Sequence, residues 1–321
     1  MRHNDIRGEF LVEFKHVSVL LGEAVDGLAI KSGGIYADGT LGGGGHSYEI
    51  ASRLSPDGRL IGIDRDLEAI AAAKNRLSPF SNVTYVHSNF ADIKAILSGL
   101  GISSIDGAVI DLGVSSYQLD CAERGFSYME DAPLDMRMDS TAELSAYDVV
   151  NTYSKEALTK IFYEYGEERF SKKVAELIAE QRAIAPISTT LQLVEIIKKA
   201  IPERFRQKGS HPAKRVFQAI RIEVNSELEP LKDALCDFFD VLSPGGRLCV
   251  ITFHSLEDRI VKQTFASFAK GCTCPRDFPI CVCGNKPRGK VITGKPILPS
   301  EDEININKRS KSAKLRICEK F

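Results

Sequence analysis

Four consecutive glycines, Gly42-Gly43-Gly44-Gly45, stand inside the run Asp38-Gly39-Thr40-Leu41-Gly42-Gly43-Gly44-Gly45-His46. The short apolar segment Gly34-Ile35-Tyr36-Ala37 precedes the run and a helix-forming stretch at 47–54 follows it, so a strand-to-helix turn is expected here. Glycine tolerates positive φ and lets a ligand approach the backbone, but it costs backbone entropy. Four in a row are a poor choice for a turn that only changes direction. The next apolar run, 58–63, ends in Asp64, 22 residues beyond Gly42. A glycine turn followed at that interval by a strand-end acid suggests a nucleotide whose ribose hydroxyls meet a carboxylate. The strict GxGxxG of a dinucleotide site and the GxxxxGK[ST] loop of a triphosphate site are both absent, which leaves room for a different adenosine cofactor.

From about residue 33 to 111, apolar runs and helical stretches alternate as a parallel sheet requires. The patterning predicts strands at 34–38, 59–64, 83–87 and 105–111, with helices at 47–54, 66–77 and 91–100. After Asp111 the rhythm breaks. Residues 125–138 read as an extended, ordered loop, and helical patterns follow at 145–150, 154–165, 171–183 and 188–199, with Ser154 and Ser188 as caps. Sheet-like patterning returns with a helix at 227–241, a tight turn at Ser243-Pro244-Gly245-Gly246 and a strand at 247–252. A helix at 258–270 and a strand at 313–319, expected to complete the sheet edge, come last. The expected fold class is α/β: a Rossmann-like sheet domain from 1–124 and 221–321, carrying an inserted, mainly helical domain at 125–220.

The formal charge of −1 gives no global sign of a polyanion partner, although basic residues cluster locally. Arg204, Arg206, Lys208, Lys214 and Arg215 form one patch, and 286–320 carries ten Lys and Arg against four acids. Either is a solvated face or a phosphate contact, while Arg137 and Arg221 lie nearer the expected active edge. The amino terminus lacks the apolar core of a signal peptide, and no apolar run approaches transmembrane length, so the cytoplasm is expected and no membrane partner. Four of the eight cysteines, Cys272, Cys274, Cys281 and Cys283, form CxC-x6-CxC. They are enough for structural zinc, but the spacing is not that of an ordinary CxxC knuckle, so reduced, unligated thiols and no metal are expected.

A second cluster, Asp111-Leu112-Gly113-Val114-Ser115-Ser116, falls at the carboxyl end of a central strand, the edge where open α/β sheets bind ligands. Asp111 suits either orientation of a bound group or capping of the following turn, and Gln118 lies near enough to join it. Phe90, just past the third strand, suits an adenine ring or the core.

In these stretches the chain resembles the bacterial small-subunit rRNA cytosine-N4 methyltransferases that modify cytidine 1402 of 16S rRNA, a class I S-adenosylmethionine-dependent family. The resemblance also rests on His16-Val17-Ser18-Val19-Leu20-Leu21, Ile63-Asp64-Arg65-Asp66, Arg124-Gly125-Phe126-Ser127 and Pro133-Leu134-Asp135-Met136-Arg137-Met138-Asp139. Tyr165-Gly166-Glu167-Glu168, Lys214-Arg215-Val216-Phe217-Gln218-Ala219-Ile220-Arg221 with Asn225, and Phe253-His254-Ser255-Leu256-Glu257-Asp258-Arg259 extend it over nearly the whole chain. It implies that S-adenosyl-L-methionine is held by Gly43, Gly44, Gly45, His46, Asp64, Phe90, Asp111 and Gln118. It further implies that the helical insertion helps to hold 16S rRNA, in the small ribosomal subunit or its precursor, and that a homodimer is to be expected.

Methylating an exocyclic amine needs alignment and an acceptor for its hydrogens, because the lone pair is delocalised into the ring. Asp111 is the first candidate for that work; Ser115, Asn225, His254 and Glu257 follow, with His254 equally suited to a structural bond. The Asp/Asn-Pro-Pro-aromatic motif of other amino-methyltransferases is missing, which leaves Phe126, Tyr128 or Phe253 to stack on a base. Two other functions compete: a nicotinamide-dependent oxidoreductase, from the glycines and Asp64, and a non-enzymatic RNA-binding assembly factor.

Overall fold

The computed structural model describes residues 18–206, 211–272, 274–275, 278, 280 and 282–321, the side chains of Ser116 and Tyr117 apart. Helix α1 (Leu21–Gly27) leads into β1 (Ile35–Asp38), α2 (Gly45–Arg53), β2 (Arg59–Asp64), α3 (Leu67–Arg76), β3 (Val83–His87), α4 (Ile93–Gly99) and β4 (Ile105–Asp111). A short α5 (Ser116–Asp120) opens the irregular stretch, and α6 (Ala146–Thr152), α7 (Lys155–Glu164), α8 (Ser171–Ile184), α9 (Thr190–Ala200), α10 (Glu203–Arg206) and α11 (Lys214–Asn225) follow. The chain then returns through α12 (Leu231–Val241), β5 (Leu242–Thr252), α13 (Ser255–Phe268), β6 (Gly289–Val291), α14 (Glu301–Ile306) and β7 (Lys314–Lys320).

The seven strands lie in the order β3-β2-β1-β4-β5-β7-β6. Strands β1 to β5 pair in parallel, while β7 runs antiparallel to both β5 and β6. The final strand is therefore interior, and the three-residue β6 forms the edge that β7 was expected to complete. Register between β4 and β5 jumps from Ile105↔Leu242 to Gly107↔Arg247, so 243–246, expected as a turn before the strand, bulges out within it. Central strands read as continuous apolar runs because helices cover both faces: Ile61, Ala108 and Val250 pack with Phe238 and Phe265, and Tyr36, Val109 and Ile251 pack with Val25 and Ile50.

Helices α6 to α9 and α11 enclose a separate core around Val149, Leu158, Phe162, Ile178, Ile197 and Phe217. Their starts follow side-chain chemistry. Ser145 and Asp148 form a capping box, Ser154 accepts from the Ala157 amide, and α9 is capped by Thr189 with Gln192 rather than by Ser188. The insertion also reaches further than 220: α11 continues to Asn225, and Ser226 ends it in the left-handed conformation at φ 48°. A boundary at 220 would cut that helix in mid-course.

Asn225 fastens this helix to the loop before α6. Its Nδ2 donates to the carbonyl of Met136 at 2.8 Å and its Oδ1 accepts from the Met138 amide at 2.7 Å. Met136 itself sits at φ 57°, a left-handed conformation that the clip sustains. Asn225→Ala leaves a buried donor and acceptor unpaired, at about 1–3 kcal/mol each. We expect a lower melting temperature and faster proteolysis within 136–142, with Asn225→Asp intermediate; unchanged cleavage in the alanine variant would refute the clip.

Candidate active site

Strand order reverses between β1 and β4, and the carboxyl ends of those strands open into one cleft. The glycine turn forms its floor. Gly39 donates its amide to Val109 O and Leu41 donates to Ile63 O, so the turn is stitched to the strands on both sides. Within the run each glycine has its own reason. Gly42 and Gly44 adopt φ 49° and 74°, whereas a Cβ on Gly45 would lie 1.8 Å from Ser18 Oγ. Gly43 borders open space on the cleft. No side chain caps the N-terminus of α2, which stands beside that space.

Three acids end the three adjacent strands. Asp64 accepts from the amides of Gly42 at 2.8 Å and Asp66 at 2.9 Å, one on each oxygen, leaving further lone pairs for a ligand's hydroxyls. Burial nevertheless pushes its pKa up. Asp38 accepts from Ser47 Oγ and the Thr40 amide, and burial raises it to about 6. Asp111 is different: its Oδ1 is sealed from solvent without a hydrogen-bond partner, and its amide donates to Thr40 Oγ1. Burial, then repulsion from Asp38 and Glu257, pushes its pKa well up. A buried acceptor without a donor, beside two further carboxyl groups, suits a ligand that brings positive charge or an N–H.

Glu257 faces the same cleft from the first turn of α13. Burial would raise it, but His254, Arg221 and the Phe253 amide outweigh that and hold its carboxylate ionised. His254 caps α13 in a reciprocal box with Glu257, its Nε2 3.1 Å from Glu257 Oε1, so its ring serves the helix start. Ser115 and Gln118 cap one another across α5, and Gln118 Nε2 donates to Asp66 Oδ2 at 2.8 Å. Phe90 borders both the cleft and the sheet core. His46 lines the cleft while its Nε2 bonds Val19 O, and burial depresses its pKa to about 4, leaving it neutral.

Several expected residues have other work. Asn225 is spent on the loop clip, which makes it a positioning group rather than an acceptor for a reacting amine. Arg221 is tied to Glu227 through two bonds at 2.8 and 2.9 Å, and Arg137 to Asp135 and Ala142 O, so both guanidiniums already have partners within the protein. Arg204, Arg206, Lys214 and Arg215 are exposed along α10 and the start of α11; Lys208 lies outside the described residues. Of the aromatic residues, Phe126 is core, Tyr128 stacks on His211, and Phe253 is half-buried with an edge near Gly113. Thr40, Asp38 and Glu227 went unnominated. The first two stand in the glycine motif itself, but nothing in the sequence marks Glu227.

A sequence profile of the MraW methylase family matches residues 13–321. "Ribosomal RNA small subunit methyltransferase H" of Clostridium botulinum (strain Kyoto / Type A2) is 61% identical over 310 residues, covering 97% of this chain and 100% of that protein. The protein of the same name from Clostridioides difficile (strain 630) is 57% identical over 311 residues, with 97% and 100% covered. "Ribosomal RNA small subunit methyltransferase H 2" of Agathobacter rectalis is 59% identical over 311 residues, with 96% and 99% covered.

Two outcomes follow from this geometry. A carboxyl whose pKa is raised by folding supports the fold below its unfolded pKa, about 3.9, and loses that support as pH climbs through the raised value. Asp111→Asn should therefore melt above the parent protein near neutral pH, by about 2–4 °C for each kcal/mol relieved, with the margin closing toward about pH 4. Scanning fluorimetry without ligand measures it, and a lower melting point at neutral pH would contradict the unpaired acid. Gly45→Ala should destabilise by about 1–3 kcal/mol through its clash with Ser18, and Ser18→Ala added to it should restore part of the loss. A strictly additive pair would dismiss the contact.

Proposed function

The chain belongs to the MraW methylase family, and from that premise we propose that it transfers the methyl group of S-adenosyl-L-methionine to N4 of cytidine 1402 in 16S rRNA. The family match extends from residue 13 to 321, far beyond any nucleotide fold, and it displaces the nicotinamide reading. The observation that carries the chemistry is the unpartnered, buried Asp111 Oδ1 at the strand switch point.

The residues of the cleft fit the cofactor. Gly43, Gly44 and Gly45 allow close approach, Asp64 keeps lone pairs for ribose hydroxyls, and Phe90 borders the space with an apolar ring. Ionised Glu257 gives the cleft negative character, and a sulfonium cation would favour ionisation of the buried Asp38 and Asp111 beside it. When bound, S-adenosyl-L-methionine supplies an electrophilic methyl group.

Asp111 Oδ1 is the group we assign to accept a hydrogen of the cytosine amine. Holding that hydrogen keeps the nitrogen lone pair out of ring conjugation and aimed at the incoming methyl. Transfer would break the sulfur–methyl bond, leaving the neutral thioether, as the N–C bond forms; one amine proton would pass to this oxygen, and to solvent once the products leave. Ionised Glu257 keeps negative charge beside Asp111, and His254 fixes the turn that presents it. Ser115 borders the cleft as a hydroxyl able to meet the base.

The exposed cations Arg204, Arg206, Lys214 and Arg215 supply phosphate contacts on the inserted helices in this reading. The small subunit or its precursor as substrate, a homodimer and a cytoplasmic setting belong to the same proposal. Among the described residues, no helix is long and apolar enough to cross a membrane.

Methyl transfer to small subunits or partly assembled precursors, followed by nucleoside analysis, tests the reaction. N4-methylcytidine at position 1402 is expected, and Asp111→Ala should lower kcat by roughly 10²-fold or more. Failure of the wild-type protein on every assembly substrate would end the proposal. Binding of a cation favours ionised Asp111, so affinity for S-adenosylmethionine relative to its neutral product should rise with pH through the raised Asp111 pKa. Calorimetry of both ligands between about pH 5 and 9 reads this, and a flat ratio would remove Asp111 from contact with the cation.

A further inference from the structure

Among the described residues between α13 and β6, none of the apolar side chains is buried. The large apolar residues of this segment face solvent: Phe278 is 49% exposed, Ile280 74% and Val282 73%. Its two ends are nevertheless brought together. Asn285 Nδ2 donates to the carbonyls of Lys270 and Gly271, and the Arg288 amide donates to Phe268 O. Arg288 then lies over the rings of Phe239 and Phe268 and pairs with Asp240, and β6 begins at the next residue. A closed loop without a core needs some other crosslink.

Three thiols occupy the place of that crosslink. The Sγ atoms of Cys272, Cys274 and Cys283 all lie within 4.8 Å of one another. The Cys272 and Cys283 sulfurs are 3.7 Å apart, far beyond the roughly 2.05 Å of a disulfide. Zinc–sulfur bonds of about 2.3 Å in a tetrahedron separate neighbouring sulfurs by about 3.8 Å, close to the distance found.

Backbone amides point at the same sulfurs. Cys274 N donates to Cys272 Sγ at 3.4 Å and Asn285 N to Cys283 Sγ at 3.5 Å, each from two residues further on. Val282 N donates to Cys274 Sγ at 3.3 Å. Amide donors of this kind stabilise thiolates and orient them as metal ligands. The sequence carries one further thiol in the segment, Cys281, outside the described residues.

We propose that Cys272, Cys274 and Cys283 form a structural zinc site that closes the loop 271–288 and seats the edge strand β6. The thiols bind as thiolates, each releasing its proton to solvent as its bond to the ion forms. The site lies at the far end of α13 from Glu257, about 20 Å along a helix of this length. The ion therefore acts on the architecture and not on the methyl group. This differs from the expectation of unligated thiols drawn from the spacing alone, because distance along the chain did not reveal that the sulfurs converge.

The test uses the full-length protein. After purification under reducing conditions and removal of loosely held metal, elemental analysis should find about one zinc per chain. Cys272→Ser combined with Cys283→Ser should lose it, and Cys121→Ser should retain it. Cobalt titration of the apoprotein should give the visible bands of a tetrahedral thiolate site, saturating at one equivalent and displaced by zinc. Hydrogen exchange in 289–291 should quicken when the ion is removed and slow when zinc is restored. Less than one-fifth of an equivalent of zinc, with no thiolate–cobalt band from soluble apoprotein, would overturn the proposal. Iron in place of zinc, or equal zinc content in the double variant, would overturn it as well.

Discussion

The cleft is organised by a shortage of donors around buried acids. Asp38, Asp111 and Glu257 interact across one small volume at the switch point, and only Glu257 has enough partners to stay charged at low cost. One partner is local, His254 at the cap of the same helix, and one comes from afar, Arg221 on the inserted helices. Asp38 manages with the Ser47 hydroxyl and the amides of Thr40 and Ser47, and Asp111 has no donor at all on its Oδ1. That imbalance costs the fold stability and favours a cationic ligand. The glycines then admit such a ligand to the backbone without obstructing it.

The inserted helices contribute to this arrangement through two tethers. Arg221 on α11 is held by Glu227, just past the helix, and its charge is felt by Glu257. Asn225, one turn later, ties the 136–138 loop against the same helix, and Met138 from that loop borders the cleft. Arg124 adds a third link, bonding Asp66 and Glu68 at the start of α3 while holding the carbonyls of Arg137 and Met138. A lobe with its own hydrophobic core thus reaches the reaction site through polar contacts. Arg137 and Arg221, which look like RNA ligands in the sequence, are paired with Asp135 and Glu227 of the protein itself.

Much of the sheet was legible in the sequence because parallel strands covered on both faces read as apolar runs, and the acids Asp64 and Asp111 mark where two of them stop. The order of the last two strands was not. Nothing local in Lys314–Lys320 says that it enters between β5 and a three-residue partner, since that is decided by pairing along β5. The partners that Asn225, Arg137 and Arg221 have within the protein were hidden for a related reason: residue type shows what a side chain can bond, not what folding has already placed against it. The glycine turn and Asp64 were readable because backbone conformation and close approach restrict residue choice at those very positions.

The interior position of β7 also bears on how the chain emerges during synthesis. Strand β5 is complete at Thr252, but the partner that covers its free side begins at Lys314, 62 residues later. At translation rates of 5–20 residues per second, the edge of β5 remains unpaired for roughly 3–12 s. That edge carries Leu248, Cys249, Val250 and Ile251, all fully buried once folding ends. The nascent protein therefore passes through a period in which an apolar strand edge is open to the wrong partner.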